Sequence, residues 1–130
     1  MTKHPDTSQS HREFLRRHRF ALLATGLLAA IIAWATLTPN PPTPELNRPL
    51  SDKFYHVMGF AGLVFPTALL YARSLIWILP LAVLFGVVIE LVQPFFGREA
   101  EAGDVLADLI GLGMGTVIGL TLRAWLRRRS

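Results

Sequence analysis

Residues 20–38 read FALLATGLLAAIIAWATLT, a run of nineteen residues without a charged side chain. An α-helix of that length crosses a hydrocarbon core of roughly 30 Å, and lipid requires backbone polar groups to be paired within the segment. The basic residues in front of the run also suit a secretory signal peptide. However, the run is longer than a typical signal h-region, and no clear A-x-A cleavage site follows it. We therefore predict a retained first transmembrane helix.

Three further apolar runs follow, over residues 54–72, 75–96 and 104–122. The segment TPNPPTPELNRP, residues 38–49, cannot continue a helix, because proline lacks the backbone N–H and clashes with the preceding turn. We expect an exposed connection there. Because a connection of two to four residues around Arg73 joins the second and third runs, these helices are predicted to form a tight antiparallel hairpin. The predicted fold class is all-α, a four-helix transmembrane bundle with short loops.

Composition narrows the functional classes. Of the 130 residues, 52% are apolar and 17% charged, and the charges gather at the chain ends and in the connections. The absence of cysteine excludes disulfides, thiolate metal sites and cysteine nucleophiles. The net charge of +4 could suit a nucleic-acid binder, but the basic residues flank apolar spans instead of lining a polar face. We predict membrane lipids as surroundings and no nucleic-acid partner.

The distribution of positive charge predicts the orientation of the helices. One side of the membrane would carry ten basic residues, namely Lys3, Arg12, Arg16, Arg17, Arg19, Arg73, Arg123, Arg127, Arg128 and Arg129. The other side would carry three, namely Arg48, Lys53 and Arg98. Basic residues are enriched on the cytoplasmic side. The N and C termini are therefore predicted to be cytoplasmic, with residues 1–19 as a basic cytoplasmic tail, mobile or interfacial, that has no apolar face to bury.

Ionisable side chains collect at the predicted outer ends of the helices. They are Asp52, Lys53 and His56 on the second helix, Glu90 with Gln93 on the third, Arg98 in the loop, and Asp104 and Asp108 on the fourth. Spacings of three or four residues place members of each group on one helix face. A charge at membrane depth costs a few kcal/mol or more unless it is paired or faces water. We therefore expect Glu90 and Asp108 to turn toward Lys53, Arg98 or His56.

These residue types suggest a site that handles an anionic group. In the hypothesis, His56 moves a proton together with Asp52 or Glu90. Lys53 and Arg98 attract an anionic head group, while Gln93, Asp104 and Asp108 belong to the binding set, Gln93 and Asp108 orienting the group by hydrogen bonds. The alternative is structural, because acids and bases at helix ends are common as caps and interface charges.

A metal site is the competing interpretation of the same residues. His56, Glu90, Asp104 and Asp108 offer nitrogen and oxygen ligands that suit zinc or manganese. No pair among them has the spacing of a specific motif such as H-E-x-x-H, and Lys53 and Arg98 can satisfy the same groups. No metal and no other cofactor is therefore predicted.

The fourth helix carries a stripe of small residues. Gly111, Gly115 and Gly119 recur every fourth residue, with Ala107 one step earlier. Such a stripe lets another helix approach closely. We predict that it seats the fourth helix against a neighbour within the bundle, with a homodimer through these glycines as the alternative.

The order of these motifs resembles the VanZ-like family of small bacterial membrane proteins. The matching elements are D-K-x-x-H-x-x-x-F (Asp52, Lys53, His56, Phe60), E-x-x-Q (Glu90, Gln93), Arg98, and D-x-x-x-[N/D]-x-x-G-x-x-x-G (Asp104, Asp108, Gly111, Gly115). The resemblance covers about residues 50–120, and we assign residues 20–126 to a VanZ-like transmembrane domain. Many members of that family have asparagine where this chain has Asp108.

The resemblance implies a function at the cell envelope, since the family is named for a protein linked to teicoplanin resistance. The expectation is a multi-pass protein of the bacterial cytoplasmic (inner) membrane. It would act at the outer face on an envelope lipid, a peptidoglycan precursor or a glycopeptide, in antibiotic resistance. The alternative is a binding or scaffold protein without turnover. A transporter is disfavoured because the inner halves of the helices lack polar residues to continue a path.

Overall fold

Four long helices make up the part of the chain that the structure describes. The computed structural model describes residues 7–39 and 48–129, and the side chains of residues 10–39 and 52–129. The long helices are α1 (Thr7–Leu37), α2 (Arg48–Leu70), α3 (Leu75–Val92) and α4 (Ala102–Arg129). Short 3-10 helices, Ala72–Ser74 and Gln93–Phe96, flank α3. Most of the predicted proline-rich connection and the first six residues of the predicted tail lie outside the described residues.

Each long helix largely coincides with a segment that is long and apolar enough to cross a membrane. The segments are Ser10–Leu37, Asp52–Leu70, Ala72–Phe96 and Ala102–Arg129. Large apolar side chains also point outward, and Phe20, Trp77 and Phe95 are 67%, 72% and 87% exposed. Water would disfavour such a surface, whereas acyl chains are a suitable solvent for it. The predicted all-α class is confirmed, and four helices could span a membrane.

The first helix begins earlier than predicted. It starts at Thr7, well before Phe20, and the basic segment is part of it. Phe14 and His18 lie against Tyr71 in the connection between α2 and α3, with ring centroids 5.2 and 4.5 Å apart. The expectation that the basic segment has no apolar face to bury did not anticipate these ring contacts. A spacing of four residues puts both rings on one helix face, where they cover the end of the α2–α3 hairpin.

The closest helix contact joins α4 to α2. Gly111 and Gly115 lie against the backbone carbonyl groups of Val57 and Ala61, where a Cβ atom would collide with the oxygens. Gly119 faces Ala68, whose Cβ would lie 2.6 Å from an added methyl group. The prediction that the glycine stripe seats α4 within the bundle is confirmed. A homodimer formed through the same glycines would have to displace α2.

Polar and apolar contacts join the remaining helices. The Thr25 hydroxyl lies 3.2 Å from the carbonyl oxygen of Leu63 and 3.0 Å from the hydroxyl of Thr67, linking α1 to α2 at mid-depth. The buried core residues are Phe60, Leu63, Val64, Ala68, Leu75, Ala82 and Leu112. Their packing places the beginnings of α2 and α4 beside the end of α3.

Candidate functional site

Nine polar residues form what we call the polar cluster, at the end of the bundle where α2 and α4 begin. They are Asp52, Lys53, His56, Glu90, Gln93, Arg98, Glu101, Asp104 and Asp108. Eight of the nine are the site residues predicted from the sequence. Glu101 was missed as a site residue; it lies in the connection immediately before α4 and shares Lys53 with Asp104.

His56 and Asp108 form the buried centre of the polar cluster. The Nδ1 atom of His56 lies 2.8 Å from Oδ1 of Asp108, and the two side chains are 2% and 3% exposed. The Nε2 atom of His56 points toward Oδ2 of Asp104 at 3.8 Å, which is too long for a hydrogen bond. Within residues 10–39 and 52–129, this nitrogen has no hydrogen-bond partner. The expectation that Asp108 turns toward His56 is confirmed.

Gly86 on α3 makes room for that pair. A Cβ atom at this position would come within 2.5 Å of Oδ2 of Asp108 and 3.2 Å of the Phe60 ring. Because glycine has only a hydrogen atom at this position, α3 can approach Oδ2 of Asp108, while Oδ1 contacts His56. The close approach explains why Asp108 is almost completely buried.

Both basic side chains of the polar cluster already hold carboxylates. The ammonium group of Lys53 lies 2.6 Å from Glu101 and 3.3 Å from Asp104. Its hydrogen bond lowers the pKa of the Glu101 carboxyl group below the usual value. The guanidinium group of Arg98 donates to both oxygens of Asp52 at 3.0 and 3.2 Å. An incoming anion therefore meets paired cations instead of free ones.

Glu90 has a different partner from the one expected. Its carboxylate accepts a hydrogen bond of 2.9 Å from the backbone N–H of Glu101, immediately before α4. The side-chain amide of Gln93 is oriented with its nitrogen toward Glu90, and this nitrogen donates to the two carboxylate oxygens of Glu90 at 3.2 and 3.3 Å. In the reverse orientation the amide oxygen of Gln93 would face these acceptor oxygens. Glu90 turns into the polar cluster as expected, but the hydrogen bonds described for its carboxylate come from Glu101 and Gln93. An N–H group at a helix start lacks a partner within the helix and favours a nearby negative charge.

A tight turn brings Arg98 back to the bundle. Gly97 adopts a left-handed backbone conformation with φ 73°, which glycine accepts without the steric cost of a Cβ atom. The N–H groups of Gly97 and Arg98 donate to the carbonyl oxygens of Pro94 and Gln93, both at 3.2 Å. The Arg98 side chain then donates to the carbonyl oxygen of Thr36 at 3.1 Å. It thus connects the end of α1 to Asp52 at the start of α2.

An apolar cleft runs between α1 and α2 and ends at the polar cluster. Its volume of about 490 Å³ lies within the range of roughly 300–1,000 Å³ typical of small-molecule sites. Ile31, Trp34 and Met58 are among its apolar lining residues, and Asp52, His56 and Arg98 supply its charged lining. The cleft thus offers both an apolar wall and a polar end. Nothing in the sequence alone indicated it.

One group of side chains could hold a cation. Asp52, His56 and Asp104 each offer a ligand atom, and the three atoms lie within 4.8 Å of one another. A comparison of the chain with protein-family models, curated proteins and solved structures finds no match. The chemistry of this site is therefore argued from its own geometry.

Proposed function

We propose that this chain is a VanZ-like multi-pass protein of the bacterial cytoplasmic membrane that binds an envelope amphiphile at the outer face. An envelope lipid or a lipid-linked peptidoglycan precursor has the required chemistry, an apolar chain joined to an anionic head group. The observation that carries the proposal is the cleft between α1 and α2 that ends at Asp52, His56 and Arg98. The resemblance of the sequence motifs to the VanZ-like family supports the envelope location.

The cleft suits an acyl or isoprenoid chain. Ile31 and Trp34 on α1 face Met58 and Phe60 on α2 across it. The lining from Ile31 to Thr38 covers about two helical turns, or roughly 10 Å of depth. The apolar walls of such a site bury the ligand without fixing its orientation, and a few polar groups orient it.

Arg98 is the residue best placed to receive the head group. A guanidinium group has five N–H donors in a planar fork, and carboxylates and phosphates fit that fork. The described contacts of Arg98 use its terminal nitrogens toward Thr36 and Asp52. Its side chain is 16% exposed and lines the cleft, so an anion entering the cleft can share or replace Asp52.

The distribution of basic residues supports the orientation with the polar cluster outside. Ten basic residues lie toward the two chain ends and the α2–α3 connection, against three toward the polar cluster. That asymmetry favours cytoplasmic N and C termini. The polar cluster would then face the periplasmic or outer surface.

Single cysteines will test this orientation, because the chain has no native cysteine. Glu99→Cys lies in the exposed loop before α4, and Ser74→Cys lies in the α2–α3 connection. We expect a membrane-impermeant maleimide to label intact cells at position 99 and to label position 74 only after permeabilisation. The reverse pattern would invert the topology and move the polar cluster to the cytoplasmic side.

Filling the cleft should remove the bound amphiphile. Gly59 lines the cleft, and a Cβ atom there meets Ile32 of α1 at 3.6 Å, so the larger Gly59→Leu side chain would occupy the space between α1 and α2. We expect native mass spectrometry of the detergent-purified protein to show a retained anionic lipid with the wild type and at least about a tenfold lower occupancy with Gly59→Leu.

Gly62→Leu is the matched control, since nothing lies within 4 Å of a Cβ at that position on the same helix. It should keep the lipid. The same strains can be exposed to teicoplanin, where Gly59→Leu should lose any protection that the wild type and Gly62→Leu confer. Equal lipid occupancy in all three proteins would contradict the proposal.

A binding or scaffold role without turnover is the second candidate. The observation that favours it is the pairing of Lys53 with Glu101 and of Arg98 with Asp52, so that both permanent cations of the polar cluster already hold carboxylates. Proton transfer by His56 stays a prediction. The carboxylate hydrogen-bonded to that histidine belongs to Asp108, whereas Asp52 and Glu90 have other partners.

A further inference from the structure

We propose that Asp52, His56 and Asp104 bind a divalent metal ion of the zinc class, with Asp108 holding the histidine in place. This inference goes beyond amphiphile binding and does not depend on it. Four observations carry it: an unpartnered buried nitrogen, two carboxylates that converge on that nitrogen, an excess of acids in the polar cluster, and the position of the ligands at the cleft.

The imidazole of His56 is arranged as a metal ligand. A carboxylate only accepts hydrogen bonds, so the 2.8 Å contact of Nδ1 with Asp108 places the ring proton on Nδ1 in the neutral imidazole. The lone pair is then on Nε2, which has no hydrogen-bond partner among residues whose side chains the structure describes. Metal-binding histidines usually donate their other N–H to a carboxylate in this way.

The two carboxylates approach from different helices. Asp104 directs Oδ1 toward Lys53 at 3.3 Å and Oδ2 toward Nε2 of His56 at 3.8 Å. Zinc bonds of about 2.0–2.2 Å place tetrahedral ligands about 3.4 Å apart, so Asp104 needs only a small movement. The ligand atoms of the full group lie within 4.8 Å of one another and must approach by up to about 1.4 Å. Asp52 would supply most of that movement, because its side chain is 37% exposed, and it would exchange part of its pairing with Arg98 for the metal.

The charge balance favours an additional cation. Among the residues of the polar cluster as defined above, Asp52, Glu90, Glu101, Asp104 and Asp108 are acids, whereas Lys53 and Arg98 are the permanent cations. Unbalanced carboxylates are costly where water is scarce. A divalent ion offsets two of the three excess negative charges. The imidazole nitrogen favours zinc over magnesium or calcium, which prefer oxygen ligands alone.

Two of the three ligands lie where the amphiphile is proposed to bind. Asp52 and His56 both line the cleft between α1 and α2. Three protein ligands leave a fourth position of a tetrahedral zinc site open for water or substrate. A metal there supplies positive charge that the paired Lys53 and Arg98 do not. A metal there would take the Nε2 lone pair, so this metal site and proton transfer through Nε2 of His56 exclude each other.

Zinc binding to the full-length chain tests the proposal directly. The protein is purified in detergent without a histidine tag, stripped with a chelator and titrated with zinc chloride alone. We expect one equivalent per chain with the wild type and at least about a hundredfold weaker binding with His56→Asn. Asparagine keeps a side-chain N–H for Asp108 but lacks the Nε2 atom. Asp108→Asn should weaken binding about 10–100-fold, as loss of a supporting carboxylate does at other metal sites.

Two control substitutions separate this site from adventitious binding. His11→Ala removes an exposed histidine, and Glu99→Gln removes an exposed acid beside the polar cluster. Both should keep the zinc equivalent. Circular dichroism checks that each variant is helical, and Asp52→Asn replaces His56→Asn if the latter does not fold. Zinc binding that His56→Asn or Asp52→Asn leaves unchanged, or that His11→Ala abolishes, would overturn the proposal.

Discussion

Gly115→Ala is expected to lower the free energy of unfolding by about 3 kcal/mol, the upper part of the range for inserting a methyl group into a well-packed interior. The Cβ atom would lie 2.8 Å from the backbone C and Cα atoms of Ala61 and closer still to the carbonyl oxygen. Backbone atoms cannot rotate away as a side chain can. The helices α2 and α4 must therefore separate, and the separation also opens the contact between His56 and Asp108.

The matched control lies two residues away on the same helix. Nothing lies within 4 Å of a Cβ at Gly113, so Gly113→Ala adds the same methyl group to an open face. Alanine is favoured over glycine in a helix interior by up to about 1 kcal/mol, and this variant should be neutral or slightly stabilised. Unfolding of the micelle-bound protein in sodium dodecyl sulfate compares the two. Equal stability of the two variants would contradict the packing of the glycine stripe against α2.

His56→Leu and Asp108→Leu should each destabilise the protein by about 3–5 kcal/mol, because each leaves an unpaired polar or charged group in a buried site. The two side chains are only 2% and 3% exposed, so water cannot replace the lost partner. The double variant should be more stable than the sum of the two single losses predicts. Leucine at both positions removes the desolvation cost together with the hydrogen bond.

The exposed part of the polar cluster provides the comparison. Glu101→Ala removes a carboxylate that is 49% exposed, and ion pairs exposed to solvent contribute little to stability. All variants are measured with a chelator present, because a bound metal would stabilise the folded state by mass action. Additive losses at His56 and Asp108, or a loss from Asp108→Leu no larger than that from Glu101→Ala, would contradict the pairing.

Together these results would separate the scaffold from the site. The glycine stripe brings α4 against Val57, directly after His56 in the sequence, and one helical turn separates Gly111 from Asp108. The geometry of the polar cluster thus depends on a backbone contact next to it. We expect the glycine variants to impair stability and any metal binding together, whereas His56→Asn should impair metal binding in a folded bundle.

The sequence by itself determined the number of helices, their approximate extent and the depth of the polar residues. Length and apolar character decide which segments can cross lipid, and the cost of a charge in lipid places ionisable residues near helix ends. Helical periodicity also predicted the packing face of α4, since Gly111, Gly115 and Gly119 must share it. Each of these features belongs to one helix, so the sequence of that helix alone is sufficient to predict it.

The partners within the polar cluster were decided only by the tertiary structure. Periodicity places His56 on a face of α2 but does not specify how far α4 is displaced along it, and that displacement selects Asp108 as the hydrogen-bond partner. Glu90 meets the backbone N–H of Glu101 because the turn at Gly97 returns the chain over the end of α3. The cleft has the same origin, because its walls come from two helices. Relative rotation and offset depend on contacts between distant segments, which no single segment of the sequence specifies.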